Sequence, residues 1–463
     1  MIINRIGPER LVGYQATVFI AAILAAIGMA ALYAYSPRST FELKAEDTVQ
    51  RLTPHSARPD VVIVALDDAS VKRYGPVKSW PRSVLARGLG DVESGGPKTV
   101  VMDLALDQRT QTGDAALWRV IANNQNVELG MAYDAARSTT YTPDDIRSLV
   151  FLEKYALAGN LTYDPTQMPE FQYPLFEPPV SDFAGSSRGV GVFTRETDDD
   201  AVVRTARMTY LSHVRYPTAD APIHGKFPQS NLADGAPVML PNIALVSALR
   251  TFDMAKHDVG FKAGDTLSLL GNIQPPVQIP VDMQGRMNIR YAGPAGTFAH
   301  VSFADVVDAK VDPSVFKDKV VLFGATAAND ATTDARPTPF PGLMPRVEIT
   351  ANAISTVLSR SYFGRYESRV PGIMIVIGLI AGITLMFVSG SRTVLTGLAL
   401  LIAYIVLAGV MSTYGSIMLP VLPGLAVILI AMLVSTLLYA GPYKPVELES
   451  SPTYIPPPKE AVR

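Results

Sequence analysis

Residues Val320 to Asp330 read VVLFGATAAND. The first four are apolar, with two β-branched residues and an aromatic. That composition suits a strand covered on both faces, where no polar alternation is needed. The glycine and small residues that follow read as a turn. Many α/β proteins hold a phosphate or a catalytic group at such a strand-to-turn junction. Whether this one does depends on what surrounds it.

The same grammar occurs elsewhere in the chain. Asp60 to Leu66 (DVVIVAL) reads as a strand, Pro81 to Val92 as a helix and, after Gly95-Gly-Pro, Thr99 to Met102 as a second strand. That is a β-α-β unit, which predicts parallel pairing with a right-handed crossover. Lys317 to Phe323 reads as a strand and Val347 to Leu358 as a helix. Further strand-like runs include Val202 to Tyr210, while Tyr163 to Pro179 is turn-rich and residues 213–240 read as a surface insertion. The expected fold class is an α/β domain with a mixed, largely parallel sheet and flanking helices, joined to four transmembrane α-helices.

Those helices come from the uneven spread of the 48% apolar residues. Ala16 to Tyr35 has no charged residue, and none occurs between Arg369 and Arg392 or from Thr393 to Tyr443. About twenty such residues cross roughly 30 Å of hydrocarbon as a helix. The expected spans are residues 16–35, 371–389, 394–412 and 418–440, with Ser412 to Ser416 as the last turn. The first run is longer than the apolar part of a cleaved signal peptide and reads as an uncleaved anchor. Arg5, Arg10, Arg392 and Lys444 fall on one side if both termini are cytoplasmic. Residues 1–15 and 441–463 are then cytoplasmic tails, and residues 36–369 form an extracytoplasmic domain in the periplasm of a bacterial inner membrane. The spans carry no ionisable residue at membrane depth, unlike pumps, transporters and voltage sensors, so they read as a lipid-packed anchor bundle. Gly372, Gly378, Gly382, Gly397 and Gly409 would let its helices approach closely.

Several function classes are disfavoured. A net charge of -2 without a basic stripe gives no reason to expect nucleic acid. There is no cysteine, hence no disulfide, thiol catalysis or cysteine-ligated metal. His55, His213, His224, His257 and His300 are scattered without metal-site spacing, so neither metal nor cofactor is expected. Gly185-Ser-Ser-Arg-Gly189 fits G-x-S-x-G, but that elbow needs a strand before it and a helix after. Here Val190 to Thr194 reads as a strand following Ser187. Gly324-Ala-Thr lacks a Walker lysine and a dinucleotide fingerprint, and Asp198-Asp-Asp200 lacks the glycine and glutamate of a calcium loop.

Acids stand just past the early strands. Asp67 and Asp68 follow the first, and Asp103 follows the second. Ligands in open parallel sheets bind beyond the carboxyl ends of strands, so Asp67, Asp68, Ser70, Asp103, Gly324 and Thr326 form a candidate ligand-binding set. The structural alternative is that Asp68 and Ser70 cap the next helix and Asp103 orders a loop.

From Gly324 the chain continues GATAANDATTDARPTPFPGLMPRVEITANAISTVL. This resembles the closing signature of the second type of CHASE domain, an extracellular sensory domain associated with bacterial cyclases and histidine kinases. Val61 to Ser70 resembles the opening strand and Asp-Asp-x-Ser turn of that family, and Ser79-Trp-Pro-Arg82 its Trp-Pro-Arg element. Asp198 to Arg204 resembles its Asp-x-Asp-Gly-x-x-Arg turn, with Ala201 in the glycine position. Ile279 to Tyr291 and Lys317 to Thr326 complete a resemblance over about residues 40–360. One span before the domain and three after it is also the family's arrangement. The sequence departs at Asn329 (usually glycine), at Arg346 (where Met-Pro-Gly is typical) and at Thr350 (commonly His), which puts the loop's ligand details in doubt.

The resemblance implies a signal-input module, not an enzyme, that detects an unknown extracytoplasmic ligand in a lipid membrane. It would self-associate and relay through its spans to a cytoplasmic cyclase or kinase. The proline-bearing tail after the last span is too short for such an output, so the chain is expected to be a free-standing sensor or to lack a further segment. The rival readings are an accessory subunit that docks a cell-envelope partner and an envelope hydrolase using the strand-end acids.

Overall fold

The computed structural model describes residues 8–440 apart from 36–38, 54, 111, 134–153, 165, 167, 170, 172–175, 214–235, 272, 365–368, 389 and 415–417. The chain forms two compact units. One comprises residues 38–367 with 406–421, and the other residues 1–37, 368–405 and 422–463.

The first unit is built on a central sheet of β1 (Val61–Leu66), β2 (Thr99–Asp103), β3 (Val127–Tyr133), β4 (Phe176–Glu177), β5 (Gly189–Val192), β6 (Ala299–Ser302) and β7 (Val320–Ala325). The spatial order is β6-β1-β7-β2-β3, with β5 and the short β4 also pairing β3. Every pairing is parallel except β3 with β4. β1 and β2 are parallel, as the β-α-β grammar predicts, but they are not neighbours. β7, more than two hundred residues later in the chain, lies between them and bonds both, with Val321 level with Val62 and Val100. β7 is buried along its whole length, which is why its residues are continuously apolar.

Alternate residues of these strands face opposite ways and enter two cores. Val62, Val64, Leu66, Val100, Met102, Val321 and Phe323 meet one set of helices. These include α4 (Arg82–Glu93), α5 (Asp114–Asn124) and a short helix at Phe303–Val307, reached after α1 (Pro8–Tyr35), α2 (Thr40–Leu52) and α3 (Asp68–Tyr74). Val61, Ile63, Ala65, Val101, Val320 and Leu322 share the second core with helices at Ile243–Thr251 and Arg346–Leu358. The sheet is therefore sandwiched between helix layers, as its run of parallel strands requires.

Gly324 is not in a turn: it lies inside β7, level with Ala65 and Asp103. A Cβ there would sit 2.4 Å from Val347 Cβ, so the glycine lets the helix at Arg346–Leu358 lie directly on the strand. A smaller sheet pairs Leu161–Thr162, Val259–Lys262, Thr266–Leu269 and Val277–Pro280. Thr209–His213 pairs antiparallel with Pro237–Pro241. These strands bracket most of the expected surface insertion, of which residues 214–235 lie outside the described residues. Residues 406–421 belong to this unit: Arg290 Nη1 donates to Ser412 O (2.6 Å) and Glu42 Oε1 accepts from Val421 N (2.5 Å).

The second unit is helical. α1 is joined by apolar helices at Val370–Met386, Ser391–Tyr414 (up to residue 405) and Val421–Ala440 (from residue 422). Ser391–Tyr414 extends beyond the expected 394–412 at both ends, whereas Val421–Ala440 starts later than the expected 418. Three stretches, Val12–Tyr35, Arg392–Tyr414 and Val421–Tyr439, are long and apolar enough to cross a membrane. Val370–Met386 has 17 residues, about 25 Å at 1.5 Å per residue, short of an average hydrocarbon core. Close approach occurs at three of the five glycines singled out. A Cβ on Gly378 or Gly382 would meet Ala22 or Ala26, and one on Gly397 would meet Met432. Gly372 has open space and Gly409 only an ordinary contact. The proline-bearing tail, Arg5 and Lys444 lie outside the described residues.

Candidate functional site

The carboxyl ends of β1, β2 and β7 lie side by side, because all three strands are parallel. Asp67 directly follows β1 and is the N-cap of α3, a role expected of its neighbours Asp68 and Ser70. Its Oδ1 accepts from Ser70 N (2.9 Å) and Ser70 Oγ (2.7 Å). The fully buried Ser70 hydroxyl in turn accepts from Ala304 N (3.0 Å). Asp68 Oδ1 accepts from Ala328 N (3.1 Å), tying α3 to the loop after β7. Thr326 N, just past β7, donates to Leu66 O (3.1 Å). Asp67, Asp68, Ser70 and Thr326 are thus brought together as a set of local staples.

Asp103, the last residue of β2, is 1% exposed and sits in a different cluster. Its Oδ1 accepts from Arg346 Nε (2.7 Å), its Oδ2 from Thr350 Oγ1 (2.9 Å) and its backbone carbonyl from Arg346 Nη2 (3.1 Å). Arg346 and Thr350 stand one turn apart in the helix Arg346–Leu358, so a single carboxylate grips the first turn of that helix. The Arg346 guanidinium also stacks on Phe193, 4.0 Å from the ring centroid. Its Nη1 lies 3.4 Å from Asp334 Oδ2, which is shared with Arg195 Nε at 3.1 Å, while Arg336 Nε holds Asp334 Oδ1 at 2.8 Å. Burial raises the Asp334 pKa, but the charges of Arg195, Arg346 and Arg336 outweigh it and hold the carboxyl below its ordinary range. Two of the three departures from the family pattern, Arg346 and Thr350, are therefore the two partners of Asp103.

Sequence reasoning missed this second cluster, since nothing at Arg346 signals a pairing with Asp103 across more than two hundred residues, or at Asp334 one with Arg195. It also missed Asp330, which accepts from Thr332 N (2.8 Å) through one oxygen and from Val77 N (2.8 Å) through the other. A neighbouring pair, His300 and Glu348, couples β6 to the same helix, with Nε2 3.5 Å from Glu348 Oε1. Burial would lower the His300 pKa, but hydrogen bonds to Glu348 and to Phe298 O (2.8 Å) and the Glu348 charge raise it above 6.5.

The remaining motifs are structural in their contacts. Ser187 is buried, its hydroxyl donating to Ala184 O (3.0 Å), and it lies between a helix (Ser181–Ser186) and a strand (β5), the reverse of a nucleophile elbow. The Asp198 to Arg204 turn closes on the buried Arg204. That guanidinium binds both oxygens of Asp47 (2.7 and 2.9 Å), both oxygens of Asp200 (2.8 Å each) and Asp198 (3.1 Å). Burial disfavours the charged guanidinium, but these three carboxylates more than offset it and hold the Arg204 pKa above its ordinary value. Paired this way, Arg204 fastens α2, which carries Asp47, to the domain. Among the described residues no group of three or more His, Asp or Glu is placed to hold a metal ion.

No curated protein and no solved structure matches the sequence. The model of the CHASE2 domain family matches residues 20–389, well over half of the chain. With the family's blocks placed as one α/β domain, the chain belongs to the CHASE2 domain family, a family of sensory domains.

Proposed function

We propose that the protein is a membrane-anchored signal-input receptor of a bacterial inner membrane, with its α/β unit in the periplasm. The observation that carries this reading is the presence of a CHASE2 sensory domain on one chain with three helices of spanning length. In this reading the strand-end set of Asp67, Asp68, Ser70, Asp103, Gly324 and Thr326 registers the binding of a ligand. A ligand shifts a two-state domain only by its differential affinity for the two packings. The grip of Asp103 on Arg346 and Thr350 is a contact that such packings can make or break, and the gripped helix leads in sequence to the apolar helix at Val370. The role is input, not catalysis, and the output is a cyclase or kinase on another polypeptide or on a further segment. The receptor acts as a homo-oligomer in lipid. Photo-crosslinkers placed in Val370–Met386, Ser391–Tyr414 and Val421–Ala440 of the membrane-embedded chain are expected to capture a cytoplasmic cyclase or kinase. Capture of envelope proteins alone would replace this reading with that of an accessory subunit.

A further inference from the structure

At the opposite, amino-terminal end of the strands the first unit contains a half-open cavity of about 250 Å³. Its most unusual component is Glu128, the second residue of β3, which is 0% exposed. Neither of its carboxyl oxygens has a hydrogen-bond partner among the described residues. The nearby Thr99 hydroxyl donates instead to Asn126 O (3.0 Å). Leaving a buried polar group unmade in this way is costly, and native structures seldom do so without a reason.

Four cationic residues outside the central sheet line the cavity with this carboxyl. Arg188 directly precedes β5, Arg250 is in the last turn of the helix Ile243–Thr251, Lys154 stands at the rim, and Lys256 completes the set. Arg250 is half-buried, and its Nε is likewise buried without a partner. Arg188 and Lys154 are exposed. No ion pair joins Glu128 to Arg188 or Arg250, although both charges act on it. Much of the remaining wall is apolar, with Leu157, Val246, Leu249 and Met254. Tyr155 pins one side, its hydroxyl bonded to Ala184 O (2.8 Å) and Ser187 O (2.7 Å). An unmatched buried acid, a half-buried guanidinium with one unmatched buried nitrogen, further cations and a largely apolar wall form a site with a few convergent polar groups, of the kind that holds small molecules.

We propose that this cavity binds a small monocarboxylate with a short apolar tail. One carboxylate oxygen accepts from Arg250 Nε, the other accepts from the Glu128 O–H, and the tail lies along Leu249 and Met254. Arg188 and Lys154 supply the attracting charge at the mouth. The Glu128 proton is available because burial, only partly opposed by the nearby Thr99 hydroxyl and by the charges of Arg250 and Arg188, pushes its pKa up to about 8. A carboxylate fits better than phosphate, since much of the wall offers no donor to a third or fourth oxygen. The inference goes beyond the sensory reading and does not need it: occupancy is measurable whether or not a signal follows.

The test is equilibrium binding of radiolabelled hexanoate to the intact chain in lipid nanodiscs, with hexan-1-ol and inorganic phosphate as competitors. Saturable binding that neither competitor displaces is expected. Arg250→Gln should weaken it about tenfold or more, the usual weight of a charged hydrogen bond, and Lys154→Gln, at the exposed rim, should weaken it less. Hexanoate affinity should fall as pH rises through about 8, where Glu128, among the lining cations Arg188, Arg250, Lys154 and Lys256, loses the proton it donates. Glu128→Gln, an uncharged isostere, should bind at neutral pH and lose that pH dependence. No saturable binding, equal displacement by hexan-1-ol or phosphate, or affinity unchanged in both Arg250→Gln and Lys154→Gln would overturn the proposal. Should Arg250→Gln fail to fold, Lys154→Gln and the pH profile of the unmodified chain still decide it.

Discussion

Replacing Asp103 by Asn keeps the shape of the side chain and removes its charge. Thr350 keeps an acceptor, whereas Arg346 loses its 2.7 Å carboxylate partner and retains the Asp103 backbone carbonyl at 3.1 Å and Asp334 at 3.4 Å. Hydrogen bonds to charged groups contribute about 1.5–3 kcal/mol. A destabilisation in that range is expected for Asp103→Asn, read from the urea midpoint of the solubilised chain. No loss would mean that Asp103 is not a staple of the helix Arg346–Leu358. His300 offers a second test. Its pKa is raised in the folded state, so its contribution is fully present below the unfolded value of about 6.5 and fades as pH rises through the higher folded one. The thermal midpoint should therefore fall as pH rises past neutrality, and His300→Gln should flatten that part of the profile. An identical slope in the variant would remove His300 and Glu348 from the pH response.

The turn from Asp198 to Arg204 shows how an element can carry strain that a family pattern exposes. Ala201 adopts φ +63°, the left-handed region in which an alanine Cβ is crowded, at the position where the family pattern has glycine. The turn still forms because the hydrogen bonds Asp198 N to Val202 O and Ala201 N to Asp198 O (both 2.9 Å) and the Arg204 cluster hold it. Ala201→Gly should relieve roughly 1–2 kcal/mol of crowding and lose about 0.4–1 kcal/mol to the greater freedom of unfolded glycine. A small net stabilisation is expected in the thermal midpoint, and a clear destabilisation would show that the turn is unstrained. The same steric rule runs the other way at Gly324, where a side chain would collide with Val347.

For the whole molecule the sharpest prediction is topological. Basic residues favour the cytoplasmic side of a membrane, and Arg392 follows the helix Val370–Met386 by a few residues. Alkaline phosphatase fused after residue 215 should be active, and fused after residue 393 or 445 inactive. Activity at 445 would require an odd number of crossings and would point to Val370–Met386, the 17-residue helix, as a segment that does not span.

Composition and local pattern were enough for the α/β class, for the principal strands and helices, and for the apolar helices, because each depends on residues close together in the chain. A continuous apolar run is legible as a strand buried on both faces, and an uncharged twenty-residue run as a helix of spanning length. The Asp198 to Arg204 turn was legible for the same reason, through its family motif. What only the tertiary structure decided involves pairings across long separations. β7 inserts between β1 and β2, Arg346 and Thr350 converge on Asp103, Asp47 reaches Arg204, and Glu128 lies among Arg188, Arg250 and Lys154. Local preference cannot encode such partners. They follow from strand order, which is set by how the whole set of helices and strands buries its apolar faces together.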